Sequence, residues 1–340
     1  MKLSDFDYQL PPERIAQTPV EPRDSSRLLV LDRKTGTIQH SVFSNILAFL
    51  NRGDLLVINQ TRVLPARVYA RKVPTGGKIE LLLLNRRDPT LWEALVGGKR
   101  VKKGLQLSLS QDLIAEVEEV LDGPRRLLRF NQPIEPYLGK IGEMPLPPYI
   151  HERLLDQERY QTVYARETGS AAAPTAGLHF TPRLLTGIRD AGIGIAEVTL
   201  HVGLDTFAPV TEQDVTQHHI HTEWCSLSPQ TAQQINQVKQ AGGRVIAVGT
   251  TSVRTLETTA GRSEANGWVV PFEGATDLYI LPGYSFKVVD VMITNFHLPR
   301  STLLMLVSAF AGRQTILDAY QEAIQQEYRF YSFGDAMLIL

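Results

Sequence analysis

Arg244-Val-Ile-Ala-Val-Gly-Thr-Thr-Ser-Val-Arg254 is the stretch on which the fold turns. Arg244 to Val248 is short and rich in Val and Ile, which suits a buried, pleated strand. Gly249 breaks the run, and Thr250-Thr251-Ser252 opens a helix. A strand that passes through one glycine into a helix is half of a strand–helix–strand unit. Outward from it, Ile193 to Leu200 and Phe286 to Thr294 read as further strands. Thr181-Pro182 and Ser228-Pro229 each place a capping hydroxyl before a first-turn proline, and Gly192 and Gly242 follow where those helices should stop. This alternation predicts an α/β domain with a largely parallel sheet and helices packed on it.

The middle of the chain has another period. Ala66 to Lys72, Lys78 to Asn85, Leu91 to Val96, Leu105 to Ser110, Ile114 to Val120 and Arg125 to Phe130 are short apolar or alternating runs, and turn signals such as Thr75-Gly76-Gly77 and Asp122-Gly123 separate them. Six short strands with no evident helix predict a small antiparallel barrel or sandwich. Pro145-Leu146-Pro147-Pro148 makes a stiff exit. The expected division is an α/β domain built from 1–60 and 146–340, with 61–145 inserted at a surface loop.

Charge follows the same division. The 340 residues carry a net charge of -1, but 58–149 hold 15 Lys+Arg against 10 Asp+Glu, leaving 20 against 26 for the rest. A polyanion is therefore met by a local patch, not by the whole surface. Arg67, Lys99, Arg100, Lys102, Lys103, Arg125, Arg126 and Arg129 are the candidate contacts to such a polyanion. A single cysteine, Cys225, excludes a disulfide framework and any zinc site of several thiolates, and suits a reducing, cytoplasmic setting. The start, MKLSDFDYQL, has no apolar core of a signal peptide, and Leu303 to Ala311 is about half of the roughly 20 residues a membrane span needs.

Four strand or loop ends carry polar residues beside glycine or proline. The Gly249 to Ser252 junction offers free amides and the positive end of a helix dipole to a phosphate or carboxylate, with Arg254 one turn on. An ordinary capped turn would look the same. The loop Gly169-Ser-Ala-Ala-Ala-Pro-Thr-Ala-Gly-Leu-His179 is built of small residues that let backbone approach a ligand; Thr175, Gly177 and His179 are its candidates. His201 ends a strand, and Asn295 and His297 end another before Pro299. Their repetition points to one shared cleft. His219, His221, Glu223 and Cys225 alternate on a possible strand and have zinc-ligand chemistry, but no HExxH or PCxxC cluster supports them, so a polar strand face is expected and no metal. P-loop and dinucleotide fingerprints are absent from the sequence.

Seven longer segments carry a resemblance. Asp24-Ser-Ser-Arg-Leu-Leu-Val-Leu31, Asn59-Gln-Thr-Arg-Val-Leu-Pro-Ala-Arg67, Tyr160-Gln-Thr-Val-Tyr-Ala165, Ala173-Pro-Thr-Ala-Gly-Leu-His-Phe-Thr181, Gly249-Thr-Thr-Ser-Val-Arg-Thr-Leu-Glu257, Thr294-Asn-Phe-His-Leu-Pro299 and Tyr328-Arg-Phe-Tyr-Ser-Phe-Gly-Asp-Ala-Met337 resemble the S-adenosylmethionine:tRNA ribosyltransferase-isomerases of queuosine biosynthesis. Gln60, Ala171 and Asp205 depart from the pattern, where an acid, a valine and a glycine are expected. The resemblance implies a barrel-like α/β domain with an inserted β-barrel. It also implies transfer of the ribosyl part of S-adenosylmethionine to 7-aminomethyl-7-deazaguanine at the wobble position of a tRNA with a GUN anticodon. Epoxyqueuosine-tRNA, adenine and methionine are the implied products. S-adenosylmethionine is consumed as substrate, so no separate cofactor is expected, and the enzyme is expected to be a monomer. The amine must lose a proton and the departing adenine gains one, so His179, His201 and His297 are the candidate proton carriers, with ordinary pKa values of about 6.5. Thr175, Gly177, Gly249, Thr250, Thr251, Ser252, Arg254 and Asn295 are candidates for substrate binding, with Arg254 and the helix start suited to the methionine carboxylate. A tRNA-binding module without catalysis and a metal-dependent hydrolase are the alternatives.

Overall fold

The computed structural model describes residues 1–203, 210–263 and 268–340. It separates into two compact units, Met1–Arg62 with Pro148–Leu340, and Val63–Pro147.

The larger unit is built on a nine-stranded sheet. Its order is Phe272–Thr276, Glu223–Leu227, Gly194–Leu200, Leu55–Asn59, Val245–Val248, Val291–Asn295, Ala336–Ile339, Arg27–Leu31 and Ile38–Val42. Leu55–Asn59 lies parallel to both its neighbours, and Val245–Val248 is parallel to Val291–Asn295. Arg27–Leu31 is also parallel to Ala336–Ile339, but the other four pairings are antiparallel, so the sheet is mixed and not largely parallel. Two helices, Thr302–Ala311 and Arg313–Gln325, stand between Val291–Asn295 and Ala336–Ile339, and the chain re-enters beside Asn295, at the end where it left, and pairs antiparallel. Arg27–Leu31 and Ile38–Val42 are joined by a short turn, which also enforces an antiparallel pair. Glu223–Leu227 and Phe272–Thr276 extend the other edge antiparallel.

Both faces of the central strands are covered. Leu55, Val57, Val245 and Ala247 enter one apolar cluster and Leu56, Ile58, Ile246 and Val248 the other. A strand buried on both sides must be apolar throughout, which is why Leu55–Asn59 reads Leu-Leu-Val-Ile-Asn. On one face Ala232 and Ile235 of Pro229–Gln240 and Val253 and Leu256 of Thr250–Ala260 pack with the apolar helix Thr302–Ala311. Leu184, Leu185 and Ile188 of Pro182–Asp190 pack on the other. The caps form as read: Thr181 Oγ1 accepts from the Leu184 amide at 3.2 Å and Ser228 Oγ from Thr231 at 3.1 Å.

The smaller unit is a closed antiparallel barrel. Arg67–Val73, Lys78–Arg86, Leu91–Val96, Arg125–Phe130, Ile114–Val120 and Gln106–Ser108 follow one another around it, and Gln106–Ser108 closes on Arg67–Val73. Inward residues such as Val68, Leu81, Leu83, Ala94, Val117 and Leu128 fill it. One element escapes the sequence pattern. Glu135–Ile141 is a helix, with Pro136 in its first turn, where a missing N–H costs nothing, and Leu138 buried. Among the described residues no helix is long and apolar enough to cross a membrane.

Candidate active site

At the end of Val245–Val248 the chain turns through Gly249, with φ +84°, into the 11-residue helix Thr250–Ala260. That dihedral is strained for any side chain, so glycine is needed here. The Gly249 amide donates to Ile293 O at 2.8 Å and ties the turn to the next strand. The following amides begin the helix and have no earlier carbonyl of their own helix to meet. Thr250 and Thr251 line a cleft that opens to solvent. Ser252 does not line it: its hydroxyl donates back to Val248 O at 2.7 Å. Arg254 returns to the cleft wall one turn on. It is buried, paired with Glu223, and its Nε donates to Leu278 O at 3.2 Å. The second Glu223 oxygen accepts from the Gly203 amide at 2.8 Å.

Three other segments reach the same cleft. Ala173 to Ala176 supply small residues, Val202 comes from the strand end beyond His201, and Thr294 to Ser301 form the far wall. The predicted convergence of four chain ends is therefore what the structure has. Tyr149, Tyr331 and Ser332 join them, with Tyr149 Oη and Ser332 Oγ 2.7 Å apart. No local spacing links residue 149 to residue 331; only the Tyr328 to Met337 segment hinted at one partner.

Polar groups on the wall are incompletely satisfied. Among the described residues Thr251 Oγ1, Arg254 Nη2 and Asn295 Oδ1 are buried without a hydrogen-bond partner. Such orphans are costly in a finished core, and these three belong to residues that line the cleft.

The three histidines fall in different places. His297 lines the cleft and its Nε2 lies 2.8 Å from Thr294 Oγ1. His179 stands behind the wall, between Ser26 Oγ at 2.8 Å and Asn295 Nδ2 at 3.2 Å. His201 packs its ring against Trp224, centroids 5.1 Å apart, with Nδ1 2.8 Å from Thr61 Oγ1. The ordinary pKa expected of them does not hold. Burial pushes His179 and His297 down to about 3, and lowers His201 as well. All three are neutral at pH 7. Gly177 also lies beneath the wall, where a methyl group would meet Tyr164 Oη at 2.1 Å.

The zinc-like strand is otherwise engaged. Glu223 neutralises Arg254, and Cys225 is buried with Ala172, Leu200 and Val202, its thiol pushed up to about 11 by burial. Among the described residues no three His, Cys, Asp or Glu side chains converge as a metal site. Of the family departures, Gln60 accepts from Arg166 Nη2 at 2.9 Å and Ala171 is buried. Asp205 lies outside the described residues.

In the barrel, the basic residues divide by partner. Lys99, Arg100, Lys102 and Lys103 are exposed. Arg129 bridges Asp88 and Glu118 at 2.7 Å each, Arg125 meets Glu93 at 3.4 Å, and Arg67 meets Glu80 at 3.5 Å. Arg126 donates to the carbonyls of Val101 and Gly123.

Residues 3–339 match the model of a family described as queuosine biosynthesis protein. The chain is 56% identical, over all of both chains, to the S-adenosylmethionine:tRNA ribosyltransferase-isomerase of Desulfitobacterium hafniense, and 55% identical, again over both full lengths, to that of Moorella thermoacetica. It is similar to the solved structure of S-adenosylmethionine tRNA ribosyltransferase from Thermotoga maritima, with 43% identity, a TM-score of 0.58, and 99% of this chain and 100% of that one covered. With a family match spanning nearly its whole length, the chain belongs to the queuosine biosynthesis protein family.

Proposed function

We propose that the chain is an S-adenosylmethionine:tRNA ribosyltransferase-isomerase acting on 7-aminomethyl-7-deazaguanine at the wobble position of tRNAs with a GUN anticodon. The observation that carries this reading is the cleft wall with its three unpartnered polar groups: a guanidinium nitrogen, a hydroxyl and an amide oxygen. The one unpaired guanidinium nitrogen and the start of the Thr250–Ala260 helix suit the methionine carboxylate, because both favour an anion.

The reaction needs position and proton transfer more than a cofactor. The sulfonium of the substrate acidifies the neighbouring ribose carbon, and methionine leaves with the electron pair of the broken C–S bond. Adenine leaves with the pair of its glycosidic bond and takes up a proton, and the two carbon valences vacated by the leaving groups are made up by the new C–N bond and by the closure that gives the epoxide of the product. The aminomethyl nitrogen, with a pKa comparable to the roughly 10.4 of lysine, must shed a proton before it forms the new C–N bond. His297 is the proton carrier in this proposal, since its ring is on the cleft wall; burial holds it neutral in the empty cleft, so accepting a proton requires the bound substrate to raise its pKa toward the working pH. The exposed Lys99, Arg100, Lys102 and Lys103 serve as phosphate contacts. The enzyme works as a cytoplasmic monomer.

The test is release of adenine and methionine from S-adenosylmethionine. It should occur in step with ribosyl incorporation into tRNA carrying the aminomethyl base. An unmodified guanine at the same position should give none. Equal release without tRNA, or binding of tRNA with no release at all, would reject the reading.

A further inference from the structure

Asn295 Nδ2 has two neighbours, Tyr331 O at 3.1 Å and His179 Nε2 at 3.2 Å. A carbonyl oxygen can only accept, so the amide nitrogen, not its oxygen, must face that side. His179 Nε2 is then the acceptor of the second N–H. In a neutral imidazole the proton consequently sits on Nδ1, which donates to Ser26 Oγ at 2.8 Å. Burial, which holds the ring neutral, agrees with this tautomer. Phe43 packs beside the ring with centroids 5.0 Å apart, so it is fixed on its face as well as at both nitrogens. With both N–H groups spent on Tyr331 and His179, Asn295 Oδ1 is left buried and unpartnered on a residue that lines the cleft and is only 3% exposed.

We infer that His179 is a positioning residue: it locks the Asn295 amide so that Oδ1 receives a hydrogen bond from an N–H or O–H donor on the substrate. The inference deepens the function proposed above and rests on it. Two molecules offer such a donor. S-adenosylmethionine has its adenine amine and ribose hydroxyls, and the tRNA base has its aminomethyl group.

The experiment compares His179→Gln with His179→Leu, and adds Asn295→Leu. Glutamine offers an acceptor oxygen and an amide donor but cannot titrate near neutrality, so rescue by it separates positioning from proton transfer. Steady-state kcat and KM are read for both substrates, with the Kd of each substrate measured in the absence of the other. His179→Gln should stay within about 3-fold of the wild type, whereas His179→Leu and Asn295→Leu should each weaken one substrate by about 10-fold. A rise confined to S-adenosylmethionine puts the donor there; a rise confined to tRNA puts it on the base. If His179→Gln loses kcat as severely as His179→Leu, by 10² or more, His179 carries a proton and the inference is overturned. Unchanged binding and KM in Asn295→Leu overturn it too. Should the leucine variant fail to fold, Asn295→Ala removes the same acceptor without added bulk. An inactive wild type would defeat the functional proposal; an active wild type with unaltered Asn295 variants would defeat this one.

Discussion

Arg254 is buried beside one carboxylate, Glu223, and keeps one nitrogen unmatched on the cleft wall. A charge taken out of water needs its partner, so the two members of the pair should respond differently to truncation. Glu223→Gln removes the compensating charge and leaves the guanidinium buried, a change that costs on the order of 3 kcal/mol in unfolding free energy. Denaturant titration should show this as a lower midpoint with an unchanged slope. Arg254→Met keeps much of the packing volume and removes the grip on the substrate carboxylate. Its KM for S-adenosylmethionine should rise about 10- to 100-fold, the range set by the loss of charge-assisted hydrogen bonds. Equal KM values for Arg254→Met and the wild type would remove the carboxylate assignment. Arg254 was legible because a strand, a glycine and a helix start announce an anion site. Glu223 was not, because its neighbours His221 and Cys225 suggest a metal, and only the fold shows that its partner is a residue 31 positions away.

At the scale of elements, the barrel was readable almost strand by strand. Each strand alternates, and turns with Gly at positive φ, such as Gly76, Gly98 and Gly123, separate them. The Glu135–Ile141 helix was missed because a seven-residue element containing Pro136 and Gly139 has too little period to register. The mixed character of the large sheet was missed for another reason: strand direction depends on the end at which the chain re-enters the sheet, which periodicity alone does not weigh. The barrel also sharpens the RNA argument. Arg129 already spans Asp88 and Glu118, and Arg125 meets Glu93, whereas Lys99, Arg100, Lys102 and Lys103 are exposed. Each phosphate contact adds close to one unit to the slope of log affinity against log salt. Replacing the four exposed residues with alanine should flatten that slope by about two to four units while S-adenosylmethionine binding stays constant. Arg129→Ala should leave the slope nearly as it is. A slope insensitive to the four-residue change would move the RNA contact elsewhere. Gly142→Ala tests the fold of the same unit, since a methyl group there would lie 2.1 Å from Pro65 O and 2.7 Å from Leu138 O, both backbone. Backbone cannot swing away as a side chain can, so thermal unfolding of this variant should begin several degrees lower.

For the whole molecule, the buried histidines couple stability to pH. His179 and His297 titrate at about 3 when folded, against about 6.5 in an unfolded chain. Both folded values are depressed, so below pH 6.5 the unfolded chain takes up protons that the folded one refuses. Stability is therefore fully present above about 6.5 and is lost as pH falls from there toward 3. At pH 4.5 this amounts to about 2–3 kcal/mol per histidine as an upper bound, a large share of an ordinary folding free energy. Asp335 opposes the trend weakly, because burial raises its carboxyl pKa and its folded form favours the proton. Asp88, held at about 2 by the Thr90 amide and Arg129, adds to the loss only below about pH 4. Between pH 6 and 4.5 the histidines dominate, so unfolding in that window should be accompanied by uptake of close to one proton for each of His179 and His297, with His201, also lowered by burial, adding to them. The measurement is the slope of unfolding free energy against pH. His297→Gln should reduce it by one proton, and the further change His179→Gln by a second. Rings held neutral by burial must give this stepwise result, because no carboxylate compensates either one. A double variant that keeps the wild-type slope would show that both rings are protonated in the folded protein, and would take the neutral-acceptor role away from each.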